Sequence, residues 1–256
     1  MKSKPANKIQ DLQFFGEFGG VNPSISDSST YTFLSANSMS ETFEGNMEGC
    51  YLYSRNSSPS NLYLEEACAA MEGTEAANVF SSGMGAITSC ILQLCKSGDH
   101  IISSRTVYGG TYAFLKNFTP QLGIETDFVD ITSIDDIKKL IKPSTKIIYC
   151  EVSSNPLLEI ADIESISKIA KKNNLKLVVD NTFTPLSVSP AKNGADIVIH
   201  SLTKFINGTS DTIAGVVCSD KDFIHSLRDV NDGAFMLMGA TCLLYTSDAA
   251  DESVSV

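Results

Sequence analysis

The chain is poor in the groups that metal, nucleic-acid or membrane chemistry would need. It has 3 histidines, and its 7 cysteines form no Cys-x-x-Cys pair, so nothing resembles zinc-ligand spacing and no metal site is expected. Basic residues are outnumbered. Nineteen Lys+Arg against 30 Asp+Glu leave a net charge of −11, a field that repels nucleic-acid phosphates and anionic lipid surfaces. No apolar run approaches the length needed to cross a bilayer, and the opening MKSKPANKIQ has no apolar core of a secretory signal. Cys50, Cys68, Cys90, Cys95, Cys150, Cys218 and Cys242 are odd in number and mostly lie in apolar periodic segments. They read as reduced, buried thiols of a cytoplasmic protein with no nucleic-acid or membrane partner.

Internal repeats and low-complexity linkers are absent too, but the chain is not uniform. Residues 1–60 are rich in Ser, Asn, Gly and Thr with little periodicity, as in GGVNPSISDSSTYTF, and predict an arm that packs on something else. Ser60 is the expected N-cap of a helix running to about Met71 and stopped by Gly73. Short β-branched runs then alternate with helical periodicity. Strands are expected at Ala77–Phe80, His100–Ser103, Glu125–Val129, Lys146–Cys150, Leu175–Val179, Asp196–His200 and Ile213–Cys218. Helices are expected at Ala86–Cys95, Thr111–Thr119, Ile134–Ile141, Ile163–Lys172 and Lys221–Val230. This alternation predicts an α/β fold: a mostly parallel seven-stranded sheet covered by helices on both faces. The tail CLLYTSDAADESVSV has neither strand nor helix logic.

Ligands of such sheets bind beyond the carboxyl ends of the strands, which selects three segments. SSGMGAI, residues 81–87, follows a strand and opens a helix, so its glycines either bring backbone N–H groups to a phosphate or simply make a tight turn. VVDNTF places Asp180 just past a doubly buried strand, as a cap, a surface group, or the partner of a protonated ring nitrogen. HSLTKFINGTSD sets Ser201, Thr203 and Lys204 after the next strand, where the hydroxyls suit phosphate oxygens and the lysine is either solvated or a carbonyl-binding amine. Gly83-x-Gly85 also matches part of a dinucleotide fingerprint. The third glycine is missing there, and the next strand ends in Ser103, Ser104 and Arg105 without an acidic ribose ligand. Together the three segments match the three handles of pyridoxal 5′-phosphate (PLP): phosphate, ring nitrogen and aldehyde.

HSLTKFINGTSD, EVSSNP at 151–156 and VVDNTF at 178–183 resemble the Cys/Met metabolism family of PLP enzymes, and the resemblance runs from about Gly19 to Gly239. It implies the large domain of the fold type I, aspartate-aminotransferase-like PLP-dependent transferases. It also implies γ-elimination or γ-replacement on a sulfur-containing or O-acylated homoserine-type amino acid. Under that resemblance Lys204 is the Schiff-base lysine and, with Tyr108, the catalytic acid/base pair. Asp180 pairs with the pyridinium, Gly83 and Met84 offer N–H groups to the phosphate, and Ser201 and Thr203 add hydroxyls. Tyr108 stacks on the ring and Asn155 contacts its oxygen. Tyr53 and Arg55, in YSRNSSP, reach the phosphate of a neighbouring subunit, which implies a homo-oligomer, a dimer of dimers.

Three positions depart from the family pattern: Gly110 where a cysteine is frequent, Phe205 for a tyrosine and Thr209 for a histidine. The expected organisation is an arm over 1–60, a PLP-binding large domain over 61–240 and a non-native tail over 241–256. The family's C-terminal small domain, whose arginine binds the substrate carboxylate, is missing from this expectation, so weak or absent turnover is expected, down to a non-catalytic fragment that only binds PLP.

Overall fold

The computed structural model describes residues 8, 9, 12, 17–33, 35–44, 50–54 and 56–228. Among them are seven strands in one sheet: β1 Ala76–Phe80, β2 His100–Ser104, β3 Glu125–Val129, β4 Thr145–Glu151, β5 Lys176–Asp180, β6 Ile197–Ser201 and β7 Gly215–Ser219. Their spatial order is β1-β7-β6-β5-β4-β2-β3. All run parallel except β7, which is antiparallel to both of its neighbours. The carboxyl ends of the other six strands therefore point to one edge, joined there by Gly215, the first residue of β7.

Alternation along the strands sends side chains to two cores. Ile147, Tyr149, Val178, Ile199 and Val217 face one side, packed against Ala86, Cys90 and Ile91 of helix α3 and Ile224 and Leu227 of helix α7. Helix α3 spans Gly83–Leu94 and α7 spans Lys221–Arg228. On the other side Ile148, Cys150, Leu177 and Val179 meet α5 (Ile134–Leu140) and α6 (Ile163–Lys172). Cys68 and Ala69 of α2 (Pro59–Glu72) cover Val79, Val198 and Val216. In α6 the spacing Ile163, Ile166, Ile169, Ala170 buries one stripe, and Asp162 caps its start by accepting the Ser165 N–H at 3.0 Å. Ile166 is fully buried, a burial that stabilises by about 1.5–3 kcal/mol.

Several expectations shift. Helix α2 begins two residues earlier, with Pro59 in its first turn and Ser58 as the cap accepting the Asn61 N–H. Proline suits that place because its missing N–H would have no helical partner. Ser60 is inside the helix, and its hydroxyl accepts the Ser26 N–H of the arm at 2.9 Å. The arm holds a helix of its own, α1 (Ala36–Phe43), closed at its start by a reciprocal Ser35–Ser38 capping box. The single helix expected at Thr111–Thr119 is three pieces: α4 (Gly109–Ala113), a π turn at Phe114–Phe118 and a 3-10 turn at Thr119–Leu122 that contains Pro120. The described part of the last helix ends at Arg228, and residues 229–256, with the expected tail, lie outside the described residues.

The thiols are as expected among the described residues: none is in a disulfide, and five of the six are buried. Burial pushes Cys68 up to about 12 and Cys90 and Cys150 further still. No described helix is long and apolar enough to cross a membrane.

Candidate active site

The start of α3 is the centre of the sheet edge. Ser82 caps it, and its hydroxyl accepts the Gly85 N–H at 2.9 Å while Ala86 N–H reaches the Ser82 carbonyl. The N–H groups of Gly83 and Met84 are left without a partner among the described residues, at the end of a helix that carries partial positive charge. A Cβ on Gly83 would stand 2.6 Å from Cβ of Ser201, so only glycine lets the helix start close on the end of β6. Gly215 is as tight: its Cβ would lie 2.8 Å from the Gly83 Cα and closer still to the Ser82 carbonyl oxygen.

Asp180 ends β5 on the same face as Val178, the α3 side. It is 8% exposed, and its Oδ1 accepts the Thr182 N–H at 2.9 Å. The buried phenol of Tyr149 donates to Oδ2 over a longer 3.4 Å. Burial pushes this carboxyl up, against the pull of the Thr182 hydrogen bonds. Among the described residues no cation forms an ion pair with it; the nearest histidine, His200, is bonded to Glu72 at 3.1 Å. A buried carboxylate in this state is stabilised by a cation that brings its own hydrogen-bond donor.

Beyond β6, Thr182 Oγ1 accepts the Ser201 N–H at 2.7 Å and so ties the ends of β5 and β6 together. Ser201 presents its hydroxyl to the Gly83 turn. Thr203 is differently employed: its hydroxyl donates to the Ala214 carbonyl at 3.2 Å and accepts the Ala214 N–H at 3.1 Å. Its hydroxyl is thus engaged in the β6–β7 connection. Lys204 sits on the turn after β6, exposed, and its amine has no hydrogen bond or ion pair among the described residues. The burial that a carbonyl-binding role calls for is not supplied by the described residues.

Tyr108 stands before α4, its ring 55% exposed. A Cβ on Gly110 would be 2.6 Å from the Tyr108 ring and 3.1 Å from the Met84 sulfur, so ring and helix start close over that glycine. Asn155 lies on the exposed turn after β4. Tyr53 is in the arm, bridged to Thr30 and 39% exposed, and Arg55 lies outside the described residues. The site therefore gathers Gly83, Met84, Asp180, Ser201, Lys204 and Tyr108 on one edge. Sequence reasoning missed two residues there. Tyr149 looked like core, although a fully buried phenol needs a partner. Glu151 closes the run KIIYCE as Asp180 closes KLVVD, and β4–β5 register sets the two carboxylates side by side. Burial and the Asp180 charge push Glu151 up to about 7.

An open α/β sheet with an anion-binding helix start, an uncompensated buried carboxylate and a lysine at one edge is built for a ring cofactor with a phosphate tail and a cationic nitrogen. PLP fits it. Comparison with known proteins agrees: the profile described as "Cys/Met metabolism PLP-dependent enzyme" matches residues 8–245. The chain belongs to that family, whose cofactor is PLP. It is 44% identical to a methionine gamma-lyase of Arabidopsis thaliana over 93% of this chain and 55% of the relative. It is also 44% identical to a cystathionine gamma-lyase of Bacillus subtilis over 74% and 50% of the two chains. The chain spans about half the length of these curated relatives. A crystal structure of metB from Corynebacterium glutamicum superposes with a TM-score of 0.85 at 31% identity, covering 99% of this chain and 65% of that one. A putative O-acetylhomoserine (thiol)-lyase of Campylobacter jejuni, with N′-pyridoxyl-lysine-5′-monophosphate at its position 205, superposes with a TM-score of 0.82 at 30% identity, over 90% and 57%.

Proposed function

We propose that the chain is the cofactor-binding part of a carbon–sulfur lyase that acts by γ-elimination on a methionine- or cystathionine-like amino acid. The observation that carries this reading is Asp180, a buried carboxylate with no counter-cation among the described residues, on the same sheet edge as the unpartnered Gly83 and Met84 N–H groups. In it, Gly83, Met84 and the Ser201 hydroxyl hold the phosphate and Asp180 holds the ring nitrogen protonated. Lys204 is the covalent anchor. PLP when bound supplies an electron sink for the substrate Cα. Lys204 would be the group that moves protons at the substrate Cα and Cβ, giving up the first before it takes the second. Tyr108, exposed beside Met84, gives a proton to the departing sulfur. Asn155 orients the ring from the β4 turn, and Tyr53 and Arg55 reach a neighbouring subunit's phosphate. Thr203 supports the site through Ala214 and is not a phosphate ligand in this reading.

The test is borohydride reduction of the chain mixed with PLP, followed by peptide mapping. A pyridoxyl mass on Lys204, lost in Lys204→Ala, supports the reading; absence of any fixed label on Lys204 sinks it. Methionine and cystathionine are then assayed for thiol, ammonia and keto acid. The similarity to metB and to an O-acetylhomoserine (thiol)-lyase favours a second reading, γ-replacement by a cystathionine γ-synthase or O-acylhomoserine sulfhydrylase. A new thioether formed from an acylated homoserine and a thiol, with no keto acid, would select it.

A further inference from the structure

Glu151 has no part in the reading above, yet it is the residue through which three parts of the site meet. It ends β4 on the same face as Tyr149, and in β4–β5 register its partner is Asp180. Its Oε1 accepts the backbone N–H of Tyr108 at 2.6 Å. The backbone N–H of Asn155, at the start of the turn after β4, lies near enough to favour its charged form. The other side-chain ties of the loop that carries Tyr108 run beyond β4: Thr106 donates to Glu159 at 2.7 Å, and Arg105 pairs with Asp130 and Glu159 at the exposed rim. At the start of α4 the Tyr108 carbonyl accepts the Tyr112 N–H at 2.9 Å, but its side chain makes no cap. A charged acceptor makes the hydrogen bond to the Tyr108 N–H stronger than a neutral one would.

We propose that Glu151 is a positioning residue, whose carboxylate fixes the Tyr108 loop and the Asn155 turn over the cofactor edge while standing next to Asp180. The proposal rests on the PLP reading for its meaning, and on the Tyr108 hydrogen bond and the β4–β5 register for its geometry. The charged or titratable groups acting on Glu151 are Asp180 from β5, and Tyr149 and Cys150 from its own strand. The Tyr108 loop and the Asn155 turn face it with N–H groups, and Lys204 is the charged group on the turn after β6. Two like charges side by side in a half-buried place are unfavourable until a cation arrives, and a bound pyridinium at Asp180 is that cation. Glu151 therefore loses its proton, and grips both loops fully, most readily when the cofactor ring is in place. As pH falls through about 7 in the empty site, the carboxylate takes up a proton and becomes a weaker acceptor for both N–H groups.

Amide hydrogen exchange on the cofactor-free chain reads this without activity. Glu151→Ala is expected to raise exchange, corrected for intrinsic rate, by about tenfold at Tyr108 and Asn155 while the β4 and β5 amides stay protected. Glu151→Gln keeps an acceptor oxygen and should recover most of that protection. Its PLP affinity, followed by the visible absorbance of the Lys204-linked cofactor, should vary less between pH 6 and pH 8 than that of the wild type. Wild-type protection of both amides in Glu151→Ala would overturn the proposal. If that variant does not fold, Glu151→Gln decides alone: a pH dependence of PLP affinity equal to the wild type's overturns it. Failure of the wild type to fix PLP on Lys204 is a separate result, and it defeats the cofactor reading while the amide-exchange result still tests how Glu151 holds the Tyr108 loop and the Asn155 turn.

Discussion

Two neighbouring carboxylates at the end of a buried sheet make the empty protein's stability depend on pH in an unusual direction. Glu151 is pushed up from 4.5 to about 7 by burial and by the Asp180 charge, and Asp180 is pushed up as well by burial. At about 1.4 kcal/mol per pH unit, ionising Glu151 is harder in the folded than in the unfolded chain by about 3.5 kcal/mol. Water at its partly exposed end trims this to about 2 kcal/mol. Below pH 4.5 the group is protonated in both states and costs nothing. As pH rises from 4.5 to about 7 the unfolded chain releases its proton first, so folded stability falls, and above pH 7 the loss is complete. Urea unfolding of the cofactor-free chain, followed by far-UV circular dichroism from pH 5 to pH 8, should show this decline. Glu151→Gln should flatten it and be the more stable protein at pH 8 by about 2 kcal/mol. PLP should flatten it too, by placing a cation beside both carboxylates. A wild-type stability that rises across the window, or a Glu151→Gln slope equal to the wild type's, would refute the argument.

Four other perturbations probe the site and the fold around it. Gly215→Ala puts a methyl group against the backbone carbonyl of Ser82, which cannot step aside as a side chain could; a loss of about 1–3 kcal/mol in urea unfolding is expected, together with weakened PLP binding. Thr203→Val breaks both hydrogen bonds to Ala214 and should lower stability by about 1–3 kcal/mol, with Thr203→Ser restoring it. Ser201→Ala should instead leave stability within about 0.5 kcal/mol and weaken PLP binding, a contrast that equal effects on both measurements would break. Ser58→Ala removes the α2 cap, and a fall of about 1 kcal/mol by thermal or urea unfolding is the expected result; no change would move the cap elsewhere.

The parts of the site that could be read from the chain are those where a rule about strand ends acts on a single residue. Asp180, Gly83, Met84, Ser201 and Lys204 each lie at or just past the end of a buried strand, and position alone brought them to one edge. The direction of β7 needed a second rule. Residues 202–214 form no helix, and without a crossover helix the chain returns antiparallel, which is why Gly215 at the start of β7, not its end, meets Ser82. Helix α1 escaped because its stability comes from the Ser35–Ser38 box and not from an apolar stripe. The cap of α2 was misread for a related reason: serines at 57, 58 and 60 are equivalent until Pro59 is recognised as a helix-start residue.

Glu151 and Tyr149 are a different case, because what makes them matter is a pairing between strands. Nothing within KIIYCE says that its last residue stands beside Asp180; that follows only from the β4–β5 register, which sets Tyr149 opposite Val178 and Glu151 opposite Asp180. The same register makes the two carboxylates one electrostatic unit. A substitution at either should change the proton uptake of the other, and a double-mutant cycle with Glu151→Gln and Asp180→Asn should show coupling of about 1 kcal/mol or more in unfolding free energy at pH 8. Additive effects would mean that the carboxylates titrate apart, and that the strand-end rule, taken one residue at a time, was already a sufficient description of this edge.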